Sequence, residues 1–202
     1  MNKHFRPADS KLGENLMVIG KVDEAIDVFM KLEKTNTRDA GRKAQLASAF
    51  MEKGDFDKAK EYLAEAKRFN PDHPGIREAQ AQMFLATGKA GEAFKMMDQL
   101  VEVGPFLAAK LNEMGIKLSQ SGKGKSALAL YQKAHRVVRK ELKYKVSLNA
   151  ALACYRLKQY KMSLKYLLRT EKEYGRKLEK VEKIRKACKV GLLKEKKIKE
   201  AS

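Results

Sequence analysis

The stretch LASAFMEKGDFDKAKEYLAEAKRFNP, Leu46 to Pro71, holds a helical segment, a glycine turn, a second helical segment and a proline stop. Leu46, Ala47 and Phe50 share one face of the first segment, and Ala59, Tyr62, Leu63 and Ala66 share one face of the second. Both spacings follow the 3.6-residue period of an amphipathic helix. Gly54 stands where the first helix must stop and the chain reverse. A left-handed backbone is cheap there for glycine and costly for other residues. Pro71 ends the unit because proline cannot continue a helix.

Outward from this stretch the same features return every 34 residues. Gly20, Gly54, Gly88 and Gly122 keep that step, as do Ala25, Ala59, Ala93 and Ala127. So do the bulky series Phe29, Leu63, Met97 and Tyr131 and the prolines Pro71 and Pro105. Four series in one frame mark a structural unit that has been copied and stacked. The recurrent alanine fits a close helix crossing, where a larger side chain would cost roughly 1–3 kcal/mol by overpacking.

The pattern resembles the tetratricopeptide repeat, a 34-residue helix–turn–helix unit. The resemblance covers roughly residues 6–177, in units 6–39, 40–73, 74–107, 108–141 and 144–177. It implies an all-α fold, a right-handed α-solenoid of stacked hairpins that buries its core between neighbouring units. The fifth unit is shifted by two residues, with Asn149, Ala151, Tyr160 and Leu167 in the expected places, Lys158 for the turn glycine and Ser163 for the alanine. The family's early tryptophan is absent; Asp9, Lys43, Arg77, Leu111 and Ser147 occupy its places. Thr37 and Arg139 stand where the stopping proline is usual. Beyond Leu178, the helical spacing of Val181, Ile184, Cys188 and Leu192 among lysines predicts a basic capping helix over 178–202, frayed over about its last ten residues.

The chain carries 44 Lys+Arg against 25 Asp+Glu, a net charge of +19. Residues 1–107 hold 17 of each sign, whereas residues 108–202 hold 27 basic and 8 acidic residues, so the whole excess sits in the second half. That half also holds six of the seven tyrosines. No run of 18 apolar residues suggests a membrane span, and the amino terminus lacks the apolar stretch of a signal peptide. Two distant cysteines, Cys154 and Cys188, fit reduced thiols in the cytoplasm.

No enzyme is legible. Gly124-Lys125-Ser126 lacks the glycine five places earlier and the preceding strand that a phosphate loop needs. His4, His73 and His135 have no partner at metal-ligand spacing, so neither metal nor cofactor is expected.

The resemblance places partner binding on the first helices of successive hairpins, which line a concave groove. Carried over by frame, the first two units present Met17, Gln45, Ser48 and Met51, and the third presents Gln82 and Leu85. The fourth presents Asn112, Ile116 and Ser119, and the fifth Lys145, Asn149, Leu152 and Arg156. The paired lysines and asparagines with which one subtype grips a terminal carboxylate are replaced by Gln45, Ser48, Glu78 and Gln82. A second surface is basic. Lys133, Arg136, Arg139, Lys140 and Lys143 crowd one stretch, and Lys161, Lys165, Arg169 and Lys172 share one face of a helix.

The sequence therefore points to a non-enzymatic adaptor with a protein partner in its groove and a basic end that attracts an acidic partner. The alternative is binding of nucleic acid or an anionic membrane surface through the basic half, where tyrosines among lysines suit base stacking. The repeat LNEMGIKLSQSGKGKSALALYQKA is similar to repeats that follow receiver domains in bacterial signalling proteins, although no receiver is present.

Overall fold

A computed structural model describes residues 7–200 as eleven helices. Ten of them form five hairpins: α1 (Pro7–Val18) with α2 (Val22–Glu33), α3 (Ala40–Lys53) with α4 (Phe56–Phe69), α5 (Pro74–Ala86) with α6 (Ala90–Met97), α7 (Pro105–Gln120) with α8 (Gly124–Val137), and α9 (Lys140–Arg156) with α10 (Tyr160–Tyr174). A single helix, α11 (Glu179–Glu200), follows. The fold is all-α and of the hairpin-repeat solenoid class.

Each hairpin turns on one left-handed residue. Gly20, Gly54, Gly88 and Gly122 have φ between 75° and 88°, and in the fifth turn Lys158 takes φ 58°. The surrounding hydrogen bonds show why that residue must be left-handed. Gly54 N–H donates to Met51 O and Asp55 N–H to Phe50 O, and Lys158 and Gln159 repeat the arrangement with Tyr155 O and Cys154 O. This is the Schellman closure, which satisfies the last carbonyls of the helix. Asp39 and Asp55 then cap α3 and α4 by accepting from Arg42 N–H and Lys58 N–H.

Close helix contact within a hairpin rests on a matched pair sixteen residues apart. A Cβ on Gly13 would lie 2.3 Å from the Phe29 ring, and one on Gly115 would lie 2.4 Å from the Tyr131 ring. At the equivalent places the partners are Ala47 with Leu63, Ala81 with Met97 and Ala151 with Leu167, all buried. Glycine stands opposite an aromatic ring and alanine opposite an aliphatic side chain, so each pair fills a similar volume at a similar helix spacing.

The chain divides into two compact units, the boundary lying between Leu107 and Ala108 within α7. The core of the first unit gathers Phe29, Leu46, Phe50, Leu63 and Ile76, with Tyr62 stacked on Phe50 at 5.5 Å. Two of the places left by the missing tryptophan hold buried polar groups. Lys43 is buried against Glu33 at 2.6 Å and also pairs with Glu65. Burial works against its ammonium, but the hydrogen bonds and charges of Glu33 and Glu65 outweigh that and hold its pKa above the ordinary lysine value. Ser147, in the second unit, donates to Glu173 Oε2 at 2.7 Å.

In the second unit α11 lays Val181, Ile184 and Cys188 over a cluster containing Ala151 and Leu167. Arg185 fastens it to Glu171 of α10 at 2.6 Å and also pairs with Glu182. α11 runs to Glu200, with Lys196 and Glu200 paired at 3.5 Å in its last turn.

Candidate partner-binding cleft and cationic face

In the first unit α1, α3 and α5 together line a cleft of about 330 Å³. Gln45, Ser48, Gln82 and Met17 are among its lining residues. Gln45 is fixed from one side: its Nε2 donates to Glu14 Oε1 at 2.9 Å and to Ser10 Oγ at 3.2 Å. Gln82 is 8% exposed, and its Oε1 is buried with no hydrogen-bond partner. One turn earlier, Glu78 accepts from Gly104 N–H at 3.0 Å. Phe106, half-buried, gives the cleft apolar contact area.

Its electrostatics follow from which charges are already used. Arg42, the one arginine or lysine among the described lining residues, is buried and donates to Leu32 O at 2.7 Å, with Asp39 at 3.4 Å. Glu14 and Glu78 therefore make the lining rich in acceptors, and no pair of cations waits for a terminal carboxylate. His73 caps α5 by accepting from Gly75 N–H at Nδ1, 3.1 Å away, which leaves the proton of the neutral ring on Nε2.

The remaining frame-derived groove residues lie elsewhere. Met51 is 7% exposed and belongs to the core of the first unit, outside the cleft lining; Met17 is buried too, at the cleft floor. Leu85 is half-buried and outside the cleft lining. In the second unit the inner residues largely bond one another. Asn149 donates to Asn112, and Arg156 donates to Ser119 Oγ at 2.8 Å. Ile116 and Lys145 are exposed, and Leu152 packs half-buried against the α9–α11 cluster.

Frame reasoning passed over Ser10, Glu14, Arg42, His73 and Phe106 as lining residues. Two had a signal. Glu14 lies one repeat before Ser48 and two before Gln82, and Ser10 lies three repeats before Asn112. His73 and Phe106 follow proline stops or turns, and only the folded chain brings them to the cleft.

The cationic stretches of the second unit are largely solvent-facing. Arg136, Arg139 and Lys140 are exposed, and Lys133 and Lys143 are half-buried. Lys161, Lys165, Arg169 and Lys172 are all exposed along α10. The neighbouring tyrosines have packing or hydrogen-bond partners to different degrees. Tyr131 is 2% exposed, with its hydroxyl pKa pushed up to about 12 by burial. Tyr144 lies 4.6 Å from Tyr174 and Tyr155 lies 5.9 Å from Tyr160, while Tyr166 OH accepts from Gln132. Tyr144, Tyr155, Tyr160, Tyr166 and Tyr174 remain half-buried.

The residues that looked chemical have structural work. Gly124 begins α8, and a Cβ there would lie 2.9 Å from Leu157, so its smallness serves packing. His4 lies outside the described residues. His135, isolated in the sequence, meets Glu173 at 2.6 Å in the fold. Among the described residues no group of His, Cys, Asp or Glu is arranged to hold a metal. Cys154 and Cys188 are buried free thiols; burial first, and the nearby Cys188, push the Cys154 pKa up to about 11. Ser163 keeps its buried hydroxyl satisfied by donating to Ala151 O at 2.8 Å.

The comparisons agree with this architecture. Residues 20–83 match the tetratricopeptide repeat family model. A Pseudomonas aeruginosa structure, that of pilF, superposes with a TM-score of 0.52 at 18% identity, covering 96% of this chain and 92% of its own. A thermophilic TPR protein of Thermus thermophilus gives a TM-score of 0.52 at 17% identity, covering 92% and 98%. At such identities the likeness concerns the fold. No curated protein matches the chain in sequence. Repeat period, hairpin geometry and the match over residues 20–83 together define an array of tetratricopeptide-type hairpins, a fold that generally mediates protein–protein interaction.

Proposed function

We propose that the chain is a non-enzymatic adaptor that holds an extended protein segment in the cleft of α1, α3 and α5. The observation that carries this reading is the cleft lining: amides from Gln45 and Gln82, hydroxyls from Ser10 and Ser48, and apolar area from Phe106. Amides and hydroxyls serve the backbone of an extended segment, and apolar surface anchors its side chains. The acceptor-rich lining disfavours a terminal carboxylate. The cationic second unit adds long-range attraction, raising the association rate with a partner that is acidic outside the cleft. The setting this fits is the cytoplasm, and the repeat style suits a signalling or assembly complex of a bacterial cell.

A photo-crosslinking residue in place of Ser48 is expected to trap one partner in native cytosol. Gln45→Ala with Gln82→Ala should abolish trapping while the circular dichroism spectrum still reports a folded helical chain. Equal trapping from a crosslinker at the exposed Lys60 of α4 would remove the cleft from the account.

A further inference from the structure

We infer that the solvent face of α10 is a docking surface for an anionic phospholipid bilayer. Lys161, Met162, Lys165, Leu168, Arg169 and Lys172 are all exposed, Met162 by 44% and Leu168 by 63%. At 3.6 residues per turn these six positions fall within an arc of about 120°. The arc contains four cations, two large apolar side chains and no carboxylate. The opposite side of α10 is committed to the core through Ser163, Leu167 and Thr170, so the helix cannot rotate to bury Leu168. Arg169 lies 6.0 Å from the Tyr166 ring centroid, which steadies its guanidinium on this face.

Like charges at four-residue spacing oppose helix formation, and exposed Met and Leu gain nothing from water, so neither feature serves the fold. A bilayer surface satisfies both at once. Anionic headgroups neutralise the cations, and the acyl boundary takes the apolar side chains. Duplex phosphates would satisfy the cations but leave Met162 and Leu168 in water. The border of the face has the same character: α11 exposes Val190 and Leu193 between Lys189 and Lys194, and its Leu192 and Glu195 share a shallow depression with Lys161, Met162 and Lys165. Among the described residues no helix is long and apolar enough to cross a membrane. This inference is independent of the cleft.

The test is co-sedimentation of the full chain with large vesicles at physiological salt. Vesicles of phosphatidylcholine with a quarter phosphatidylglycerol are expected to bind at least about tenfold better than pure phosphatidylcholine. Lys161→Glu with Lys165→Glu should reduce binding by about tenfold or more. Met162→Ser with Leu168→Ser keeps every charge and should still cost about fivefold or more, because apolar insertion contributes. These side chains are exposed, so the melting temperature should not move in either variant. Equal binding to neutral vesicles would overturn the proposal. So would a serine variant that binds as the wild type does, or release from vesicles by an equal charge of duplex DNA or polyglutamate.

Discussion

The two units are built from the same hairpin but use their charges differently. The first, up to Leu107, carries as many acids as bases and pairs them locally: Lys43 with Glu33 and Glu65, Lys53 with Asp23, Lys58 with Asp55, Lys60 with Asp57. The second has eight acids, and several are committed to holding the structure: Glu171 to Arg185, Glu173 to His135 and Ser147, Glu113 to Lys110 and Lys117. Its surplus cations are left on the surface. A repeat fold constrains the faces that pack and leaves the outer faces free to diverge. One unit thus keeps an acceptor-lined cleft, and the other keeps a cationic face.

The sharpest test of this contrast uses the thiols, since both cysteines lie in the second unit. With a pKa of about 11 against an ordinary value near 9, Cys154 holds about a hundredfold less thiolate at pH 8 than a free cysteine. Disulfide-exchange labelling should therefore stay slow in the native chain and turn fast in denaturant, reporting the opening of the second unit alone. The sign of the pH effect follows. Between about pH 9 and 11 the unfolded thiol ionises while the folded one does not, so the second unit loses stability as pH rises. Lys43 acts in the first unit at higher pH: its stabilisation is present below about 10.5 and is lost as pH rises through its elevated folded value. Urea melts from pH 8 to 11 should show the thiol-reported transition falling first. A simultaneous fall would merge the units.

In the first unit, Lys43→Ala leaves Glu33 buried without its cation and should cost about 2–3 kcal/mol, below the full buried-pair penalty because Glu65 is half exposed. In the second, Gly115→Ala drives a methyl into the Tyr131 ring and should cost about 2 kcal/mol. Adding Tyr131→Leu recreates the pairing of Ala47 with Leu63 and should recover part of that loss in a double-mutant cycle. A strictly additive cycle would break the matched-pair account.

The turns give the smallest effects and opposite signs. Gly54→Val should destabilise by about 1–2 kcal/mol, since φ is 88° there. Lys158→Gly relieves a left-handed lysine and should stabilise the fifth hairpin by about 0.5–1 kcal/mol, read from urea midpoints.

Much of the fold was legible because the turn glycines and the small–bulky pairs recur at fixed sequence distances, and local backbone geometry demands them. Part of the cleft lining coincides with the same frame, through Met17, Gln45, Ser48 and Gln82. Position along a helix does not say whether a side chain faces water or a neighbour, and Met51, which the frame puts on the groove, is buried.

The sequence by itself determined the hairpin unit, its number of copies, the left-handed turns and the uneven charge, since each depends on residues near one another or on simple sums. Only the tertiary structure decided that Lys43 is a buried ion-pair partner, that His135 meets Glu173, that Gln82 faces a cleft with one oxygen unpartnered, and that Met162 and Leu168 stand among the lysines in water. Those outcomes depend on which helix faces are covered by residues distant in the chain, and no local spacing encodes that.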